Sequence, residues 1–202
     1  MMKNYYIADT HFGHERVIEF DKRPFSSLEE MEEEMIRRWN AVVERGDTVY
    51  ILGDFCWRVD ADWIRILKRL KGNKVLIKGN HDLTRMSGKV KKMFQDIRDI
   101  KMIKDGQYRV MLCHYPLMFY RHDYHEKTIM LCGHVHVTAE NDVLEKWREE
   151  IRKDRMTKGG NRGNIVNVGC MMPYMDYTPR TLEEILQNGP IKVNIQETHT
   201  ET

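Results

Sequence analysis

The sequence lacks any long apolar run. Its mean hydropathy is -0.63 over 202 residues, and no stretch approaches the roughly 20 apolar residues of a membrane-spanning helix. Residues Met1 to Ala8 also lack the apolar core of a signal peptide. We therefore predict a cytoplasmic protein without membrane contacts.

A charge excess of one sign is also missing, because 33 Lys and Arg residues stand against 31 Asp and Glu residues. A near-neutral chain has no strong field that would draw it to nucleic acid or to an anionic membrane. The only dense cationic stretch, Lys146 to Arg162, is interleaved with acidic residues. Nucleic-acid binding is left open by this balance but is not favoured.

Cysteines are few, and no two of them have the spacing of a Cys-x-x-Cys metal or redox motif. All four lie in or beside apolar runs, namely Cys56, Cys113, Cys132 and Cys170. This predicts reduced, buried thiols, with a metal or disulfide role as the less favoured alternative. The chain also lacks internal repeats and a second domain boundary, so we predict one domain over residues 1–195 and a disordered tail over residues 196–202.

Polar residues that follow short apolar runs are the main functional signal. Gly79-Asn80-His81-Asp82 follows directly on Val75-Leu76-Ile77, a run typical of a buried strand. In open α/β sheets, ligands bind outside the carboxyl ends of the strands. Taken alone the motif is weak, because Asn and Asp after Gly are ordinary turn residues.

The same pattern recurs along the chain. Asp9 and His11 follow the run that ends at Ala8, and Asp54 follows the run that ends at Leu52. We expect Asp9 and His11 to point the same way, because an extended chain repeats every two residues. The alternative at this stretch is an Asx turn with incidental histidines. Further along, apolar runs that end at Cys113 and Cys132 are followed by His114, His134 and His136.

Helical patterns alternate with these strands. Ser26 and Ser27, with Glu29 and Glu30 three residues on, predict a capped helix to about Val43. Asp60 predicts the start of a second helix and Gly72 its termination, and Thr181 with Glu184 predicts a third. The alternation predicts an α/β fold with a mostly parallel sheet.

Other segments carry weaker patterns. We predict a helix and a loop over Thr84 to Asp99, and a surface helix over Val143 to Arg155. Lys158 to Asn164 has the glycine content of a flexible connection, and Ile191 to Ile195 fits a final edge strand.

Seven strand-end residues together suit a metal centre. They offer nitrogen and oxygen ligands without a thiolate, a set typical of Mn²⁺, Fe²⁺ or Zn²⁺. Seven ligands are too many for one catalytic ion that keeps an open position. They suit two ions that share one carboxylate, roughly 3.5 to 4 Å apart. The seven are Asp9, His11, Asp54, Asn80, His114, His134 and His136.

The ordered motifs Asp-x-His, Gly-Asp, Gly-Asn-His-Asp, His and Gly-His-x-His resemble those of the calcineurin-like metallophosphoesterases, in particular small single-domain prokaryotic or phage members. The resemblance implies a four-layer α/β/β/α sandwich and a cofactor of two divalent metal ions, with Mn²⁺ favoured over Fe or Zn²⁺. It places Asp9, His11 and His136 on the first ion and Asn80, His114 and His134 on the second. Asp54 would bridge the two.

The resemblance also implies catalytic roles. His81 would contact the phosphate and protonate the departing oxygen, and Asp82 would orient or tune it. Arg58 is a candidate substrate contact, although Asp54-Phe55-Cys56-Trp57-Arg58 departs from the forms common in relatives. His14 is a second candidate, with loop packing as its alternative role.

We therefore predict a metal-dependent phosphoesterase that hydrolyses a phosphodiester or small phosphate ester through a metal-bound hydroxide. The alternatives are a catalytically idle scaffold of the same fold, and a nuclease. The expected partner is a small phosphate ester, and neither its identity nor the oligomeric state follows from the sequence.

Overall fold

The computed structural model describes residues 2–57, 59–82, 86–158 and 160–191. Its strands are β1 (Asn4–Ile7), β2 (Thr48–Ile51), β3 (Asn73–Ile77), β4 (Asp96–Arg98), β5 (Ile100–Asp105), β6 (Tyr108–Cys113), β7 (Thr128–Cys132), β8 (Ile165–Asn167) and β9 (Arg180–Thr181). Its helices are α1 (Arg16–Phe20), α2 (Leu28–Val42), α3 (Asp60–Leu67), α4 (Gly88–Lys91), α5 (Ala139–Lys158) and α6 (Leu182–Asn188).

The strands form two sheets. The first has the order β4-β3-β2-β1-β9, and the second has the order β5-β6-β7-β8. Within each sheet the neighbouring strands are parallel, except for the outer pairs β1–β9 and β5–β6, which are antiparallel. The predicted mostly parallel arrangement is confirmed, although it is divided between two sheets.

Three apolar clusters define the layers. Between the sheets lie buried residues such as Tyr6, Leu112 and Leu131. The first sheet packs its other face on α2 and α3 through Trp39 and Trp63. The second sheet is covered on its outer face by α5. The resulting helix, sheet, sheet, helix order confirms the predicted four-layer α/β/β/α sandwich.

Strand register brings the polar loops to one edge of the sandwich. Ile7 pairs with Ile51, which pairs with Leu76, so β1, β2 and β3 end side by side. In the second sheet, β6 and β7 end together in the same way. The amide of Ala8 donates to the carbonyl of Val168 at 2.9 Å, which links the two sheets at this edge.

Helix starts agree only in part with the predicted caps. Ser27 caps α2 by accepting from the amide of Glu30. The Glu30 carboxylate accepts from the amide of Ser26 at 2.6 Å, one residue before the cap. Asp60 does not cap α3: Val59 holds that position, and the Asp60 carboxylate accepts from the amide of Ser87 instead. The capping box of α6, formed by Thr181 and Glu184, is confirmed.

Weaker predictions hold only in part. In the described part of the segment predicted as a helix and a loop, residues 86–99, the helix is the short α4, and strand β4, which the sequence did not predict, follows it. The predicted surface helix is α5, whose buried Leu144 faces the second sheet, so it forms a layer of the fold. Helix α1 and strand β5 were also missed.

The connection after α5 is held by hydrogen bonds, for instance from the Asn161 side chain to the carbonyl of Met118 at 2.7 Å. Apart from Ile191, the predicted edge strand and the tail 196–202 lie outside the described residues. The four cysteines are free and buried. Among the described helices, none combines the length and the apolar composition needed to cross a membrane.

Leu131 tests the packing between the sheets, because it is fully buried in β7. We expect Leu131→Ala to lower the free energy of unfolding by about 2 to 5 kcal/mol, through lost burial and the cavity left behind. Val143→Ala is the control, since Val143 is 57% exposed, and its effect should stay within about 0.5 kcal/mol. Chemical denaturation measures both, and equal effects would contradict the described core.

Candidate metal centre

The strand-end side chains from both sheets meet in one cluster. His11 Nε2 lies 3.3 Å from His136 Nε2. Asp54 Oδ2 lies 3.7 Å from His11 Nε2 and 3.5 Å from His114 Nε2. The carboxylate of Asp54 therefore sits between an imidazole of the first sheet and one of the second.

On the side of the second sheet, His114 Nε2 lies 3.0 Å from the Asn80 side-chain oxygen. The ring of His134 is 5.1 Å from that of His114, centroid to centroid. His114 Nδ1 donates to the carbonyl of Leu52 at 2.8 Å, because a carbonyl can only accept. The lone pair of a neutral His114 is thus on Nε2, which faces Asp54 and Asn80.

Two triplets have one donor atom of each residue within 4.8 Å of the others. They are Asp9, His11 and His136, and Asp9, Asp54 and His114. Asp9 belongs to both triplets. The family resemblance instead implies that Asp54 is the ligand that bridges the two ions. Asp9 approaches His114 at Nδ1, at 3.9 Å, and that nitrogen carries the proton shared with Leu52. Asp54 faces Nε2 of His11 and of His114, so its position suits the bridging role better.

Asp9 and His11 both point into the cluster as expected, but the backbone there is not extended, so the two-residue alternation is not the reason. Five of the seven predicted ligands have positive φ, a region that costs free energy for residues other than glycine. These are Asp9 (55°), His11 (49°), Asp54 (51°), His134 (71°) and His136 (43°). Strand β1 already ends at Ile7, and the left-handed turns after it direct both side chains into the cluster.

Two glycines let the backbone come close to the buried carboxylates. A Cβ on Gly79 would lie 2.2 Å from Asp54 Oδ1, and a Cβ on Gly133 would lie 2.6 Å from Asp9 Oδ2. Such separations are well below van der Waals contact. The positions of both carboxylates therefore require glycine in the loops after β3 and β7.

Electrostatics at the cluster favour the neutral form of His11 and His114, whereas the hydrogen bond to Asp21 raises the pKa of His136 against the effect of burial. Burial raises the pKa of Asp9 to about 7, with the charge of Asp54 adding to the effect against the opposing charge of His136. Burial lowers the pKa of His11 and of His114. Among the described residues, the ion pairs of the Asp9 and Asp54 carboxylates are all with imidazoles.

These residues fit divalent metal ions. Neutral imidazoles present lone pairs, and two buried carboxylates in close proximity need a positive charge. The set contains oxygen and nitrogen donors without a thiolate, as Mn²⁺, Fe²⁺ or Zn²⁺ prefer. The buried Nδ1 of His11 has no hydrogen-bond partner among the described residues, so the hydrogen bonds do not assign its tautomer. The metal roles of the seven residues stay predictions.

His81 and Asp82 are adjacent in the chain, but the side chain of His81 is exposed and that of Asp82 is buried. The amide of His81 donates to Asp54 Oδ1 at 2.9 Å, while its exposed ring lies 4.5 Å from the ring of Trp57. Asp82 is buried and accepts from the amides of Gly79 and Phe55, both at 2.8 Å, and of Asp54 at 3.1 Å. Asp82 therefore joins the loops after β2 and β3. None of these described hydrogen bonds reaches the His81 side chain, and the role of Asp82 in orienting or tuning His81 stays a prediction.

Burial also raises the pKa of Asp82 to about 7, against the three amides, which favour its charged form. His14, a predicted substrate contact, stacks on Trp57 with ring centroids 4.2 Å apart. Burial lowers the pKa of His14. The stacking on Trp57 is consistent with the alternative role in loop packing, and the substrate contact stays a prediction. Arg58, the other predicted substrate contact, lies outside the described residues.

Three residues near the centre were missed in the sequence. Trp57 contacts the rings of His11, His14 and His81, and the presence of an aromatic residue three positions after Asp54 was an available signal. Asp21 and Arg23 lie beside His136 and Asp9. They follow a short helix and not an apolar strand, so the strand-end pattern could not find them.

A cleft of about 390 Å³ opens over the cluster. Its lining consists of Phe20, Asp54, His81, His134, His136, Thr138, Ala139 and Glu140. The cleft thus joins the predicted ligands of both ions to His81. Its described lining contains no Lys or Arg and includes the acidic Glu140.

Comparisons with known proteins agree with this fold. Residues 2–183 match the model of the calcineurin-like phosphoesterase superfamily domain. The crystal structure of a protein of unknown function, AQ665 from Aquifex aeolicus, superposes with a TM-score of 0.67 at 28% identity, covering 93% of this chain and 99% of that one.

Two curated relatives match part of the chain. An uncharacterized protein from Methanocaldococcus jannaschii, MJ1445, is 40% identical over 118 residues, which cover 57% of this chain and 60% of the relative. The gene 66 protein of Mycobacterium phage L5 is 34% identical over 85 residues, covering 41% of each chain. The matches thus span about 60% and about 41% of these relatives' lengths.

Gly79 tests the close approach to Asp54. We expect Gly79→Ala to displace the Asp54 carboxylate, to weaken Mn²⁺ binding at least about tenfold, and to destabilise the fold by about 1 to 3 kcal/mol through overpacking. Gly88→Ala is the matched control, since a Cβ there has no atom within 4 Å. Calorimetric titration with Mn²⁺ and thermal unfolding measure both effects, and unchanged Mn²⁺ affinity in Gly79→Ala would contradict the described loop.

Proposed function

The chain belongs to the calcineurin-like phosphoesterase superfamily, and we propose that it hydrolyses a phosphodiester or another small phosphate ester at a dinuclear metal centre. The observation that carries this proposal is the position of Asp54 Oδ2, within 3.7 Å of His11 Nε2 and 3.5 Å of His114 Nε2. One carboxylate oxygen thereby faces donors on both sides. This is what a bridging ligand between two ions requires.

The proposed first site consists of Asp9, His11 and His136, and the second of Asn80, His114 and His134. When bound, divalent ions supply electrophilic polarisation of the phosphoryl oxygens and a water of lowered pKa. Mn²⁺ is the proposed ion, with Fe or Zn²⁺ as alternatives, since the donor set suits all three. The left-handed turns and the close glycines hold the donors in place before the substrate arrives.

His81 is the proposed general acid. Its amide holds Asp54 while its ring lines the cleft, so the side chain can face the leaving group without replacing a ligand. An imidazole that holds a proton near neutral pH can donate it to a departing alkoxide. Trp57 lies against the ring of His81 and limits its orientations.

The cleft favours a small ester over a nucleic acid. A nuclease that tracks a strand uses a positively charged groove along the phosphate backbone. The described cleft lining carries Glu140 and no Lys or Arg. The idle-scaffold alternative is less favoured, because the chain retains His81 together with all seven predicted ligands.

Asp54 tests the dinuclear proposal. We expect Asp54→Ala to weaken the binding of both ions and to lower kcat for a nitrophenyl phosphodiester at least about a thousandfold, because one side chain serves both sites. Metal analysis after gel filtration and steady-state kinetics measure the two effects. Asp54→Ala with two ions per chain and near-wild-type turnover would show that the centre is not built around this residue.

His81 tests the general acid separately from the ligands. We expect His81→Ala to keep its metal content, because the hydrogen bond from the backbone amide of residue 81 to Asp54 does not depend on the side chain. General acid catalysis contributes about 10²- to 10⁴-fold, and most where the leaving group is poor. The variant should therefore lose much more rate on an alkyl ester than on a nitrophenyl ester.

The control for His81→Ala is the wild type on both esters at matched metal occupancy. Equal losses on the two esters would reassign His81 to phosphate binding. Loss of one ion would make His81 a ligand and would remove Asn80 from the second site.

A further inference from the structure

A buried carboxylate lies behind His136, on the side away from the cluster. Asp21 follows helix α1, and its side chain is only 2% exposed. Its Oδ1 lies 2.8 Å from His136 Nδ1. Because an ionised carboxylate can only accept, the proton of this hydrogen bond belongs to the imidazole.

The second oxygen of Asp21 is held by a buried guanidinium. Arg23 Nη2 and Nε donate to Asp21 Oδ2 at 2.8 and 3.0 Å. The same guanidinium donates to the backbone carbonyls of Asp9 at 2.9 Å and of Thr10 at 3.0 Å. Arg23 therefore connects Asp21, behind His136, to the strained turn that presents Asp9.

We propose that Asp21 and Arg23 are positioning residues for the first metal site: Asp21 holds His136 with Nδ1 protonated, and Arg23 fixes both Asp21 and the Asp9 turn. This inference rests on the proposed function in that it takes His136 and Asp9 as ligands.

The hydrogen bond from His136 Nδ1 to Asp21 matters because it selects the tautomer of the imidazole. A neutral imidazole has one N–H and one lone pair, so a proton held on Nδ1 leaves the lone pair on Nε2. His136 Nε2 lies 3.3 Å from His11 Nε2 and 3.8 Å from Asp9 Oδ1, where an ion of the first site would bind. Carboxylates that accept from the outer nitrogen of a ligating histidine fix its ring and raise its basicity.

The charges around Asp21 are consistent with this role. The Arg23 guanidinium pairs with Asp21 Oδ2 at 2.8 Å, with both side chains buried, which favours an ionised Asp21 that accepts from His136 Nδ1. In the proposed second metal site the corresponding acceptor is uncharged, since His114 Nδ1 donates to the backbone carbonyl of Leu52. Removing Asp21 would free the His136 ring and leave the Arg23 guanidinium buried without its anion, at a cost in free energy.

The first test needs no variant. Nitrogen-15 NMR of the imidazoles in the wild-type protein, with His136 assigned through His136→Gln, reports which ring nitrogen carries the proton. We expect the Nδ1-protonated tautomer for His136 with and without Mn²⁺. An Nε2-protonated His136 in the wild type would overturn the proposal.

The second test compares two buried aspartates. Asp47 is 5% exposed and accepts from the amides of Lys3 and Glu44, both at 2.8 Å, but has no described contact with the cluster. We expect Asp21→Ala to weaken the binding of one of two Mn²⁺ ions about 10- to 100-fold, as other outer-shell partners do. Asp47→Ala should destabilise the fold and leave Mn²⁺ affinity within about twofold of wild type.

Asp21→Asn is the conservative variant, and it replaces Asp21→Ala in the Mn²⁺ titration if Asp21→Ala does not fold. Its amide oxygen can still accept from Nδ1, so the NMR signature should be retained and Mn²⁺ affinity should fall less than in Asp21→Ala. Wild-type Mn²⁺ affinity in Asp21→Ala, or an equal loss in Asp47→Ala, would overturn the positioning role. A wild-type chain that binds two Mn²⁺ ions and hydrolyses no phosphate ester would instead refute the proposed function and leave this inference standing.

Discussion

The structure depends on the burial of two carboxylates, Asp9 and Asp54, in one cluster with imidazoles. Each is at most 2% exposed, and buried like charges are costly unless a cation compensates them. The described ion pairs of both carboxylates are with histidines whose pKa burial lowers, or with His136, whose pKa Asp21 raises against the effect of burial. Divalent ions would supply the missing charge, and the turns and glycines around the two carboxylates hold this arrangement in place before such ions bind.

Several costs are concentrated at the same edge of the sandwich. Five predicted ligands have positive φ, and Gly79 and Gly133 allow backbone atoms to approach the carboxylates more closely than a side chain would permit. The Asp82 carboxylate accepts three hydrogen bonds from backbone amides, and these join the loops after β2 and β3. Strain of this kind persists only where the packing around it is firm, and the core between the two sheets provides that packing.

Much of this centre could be predicted because it follows from strand ends. In parallel strands the carboxyl ends meet at one edge, so an apolar run followed by Asp54 or His114 already indicates where the side chain will lie. The four-layer fold followed from the resemblance, since alternation alone does not say that the strands divide into two sheets. Asp21 could not be predicted, because its role depends on how α1 folds back over His136. The contacts of Asp82 could not be predicted for a similar reason: it follows His81 in the chain, but in space it accepts from the amides of Asp54 and Phe55 in the loop after β2.

The most direct test of the central claim is a crystal structure of the protein grown with Mn²⁺, with diffraction data collected to locate manganese by its anomalous scattering. We predict two anomalous peaks roughly 3.5 to 4 Å apart, one among Asp9, His11 and His136, the other among Asn80, His114 and His134, with Asp54 contacting both. A single peak, or peaks away from these residues, would contradict the dinuclear centre.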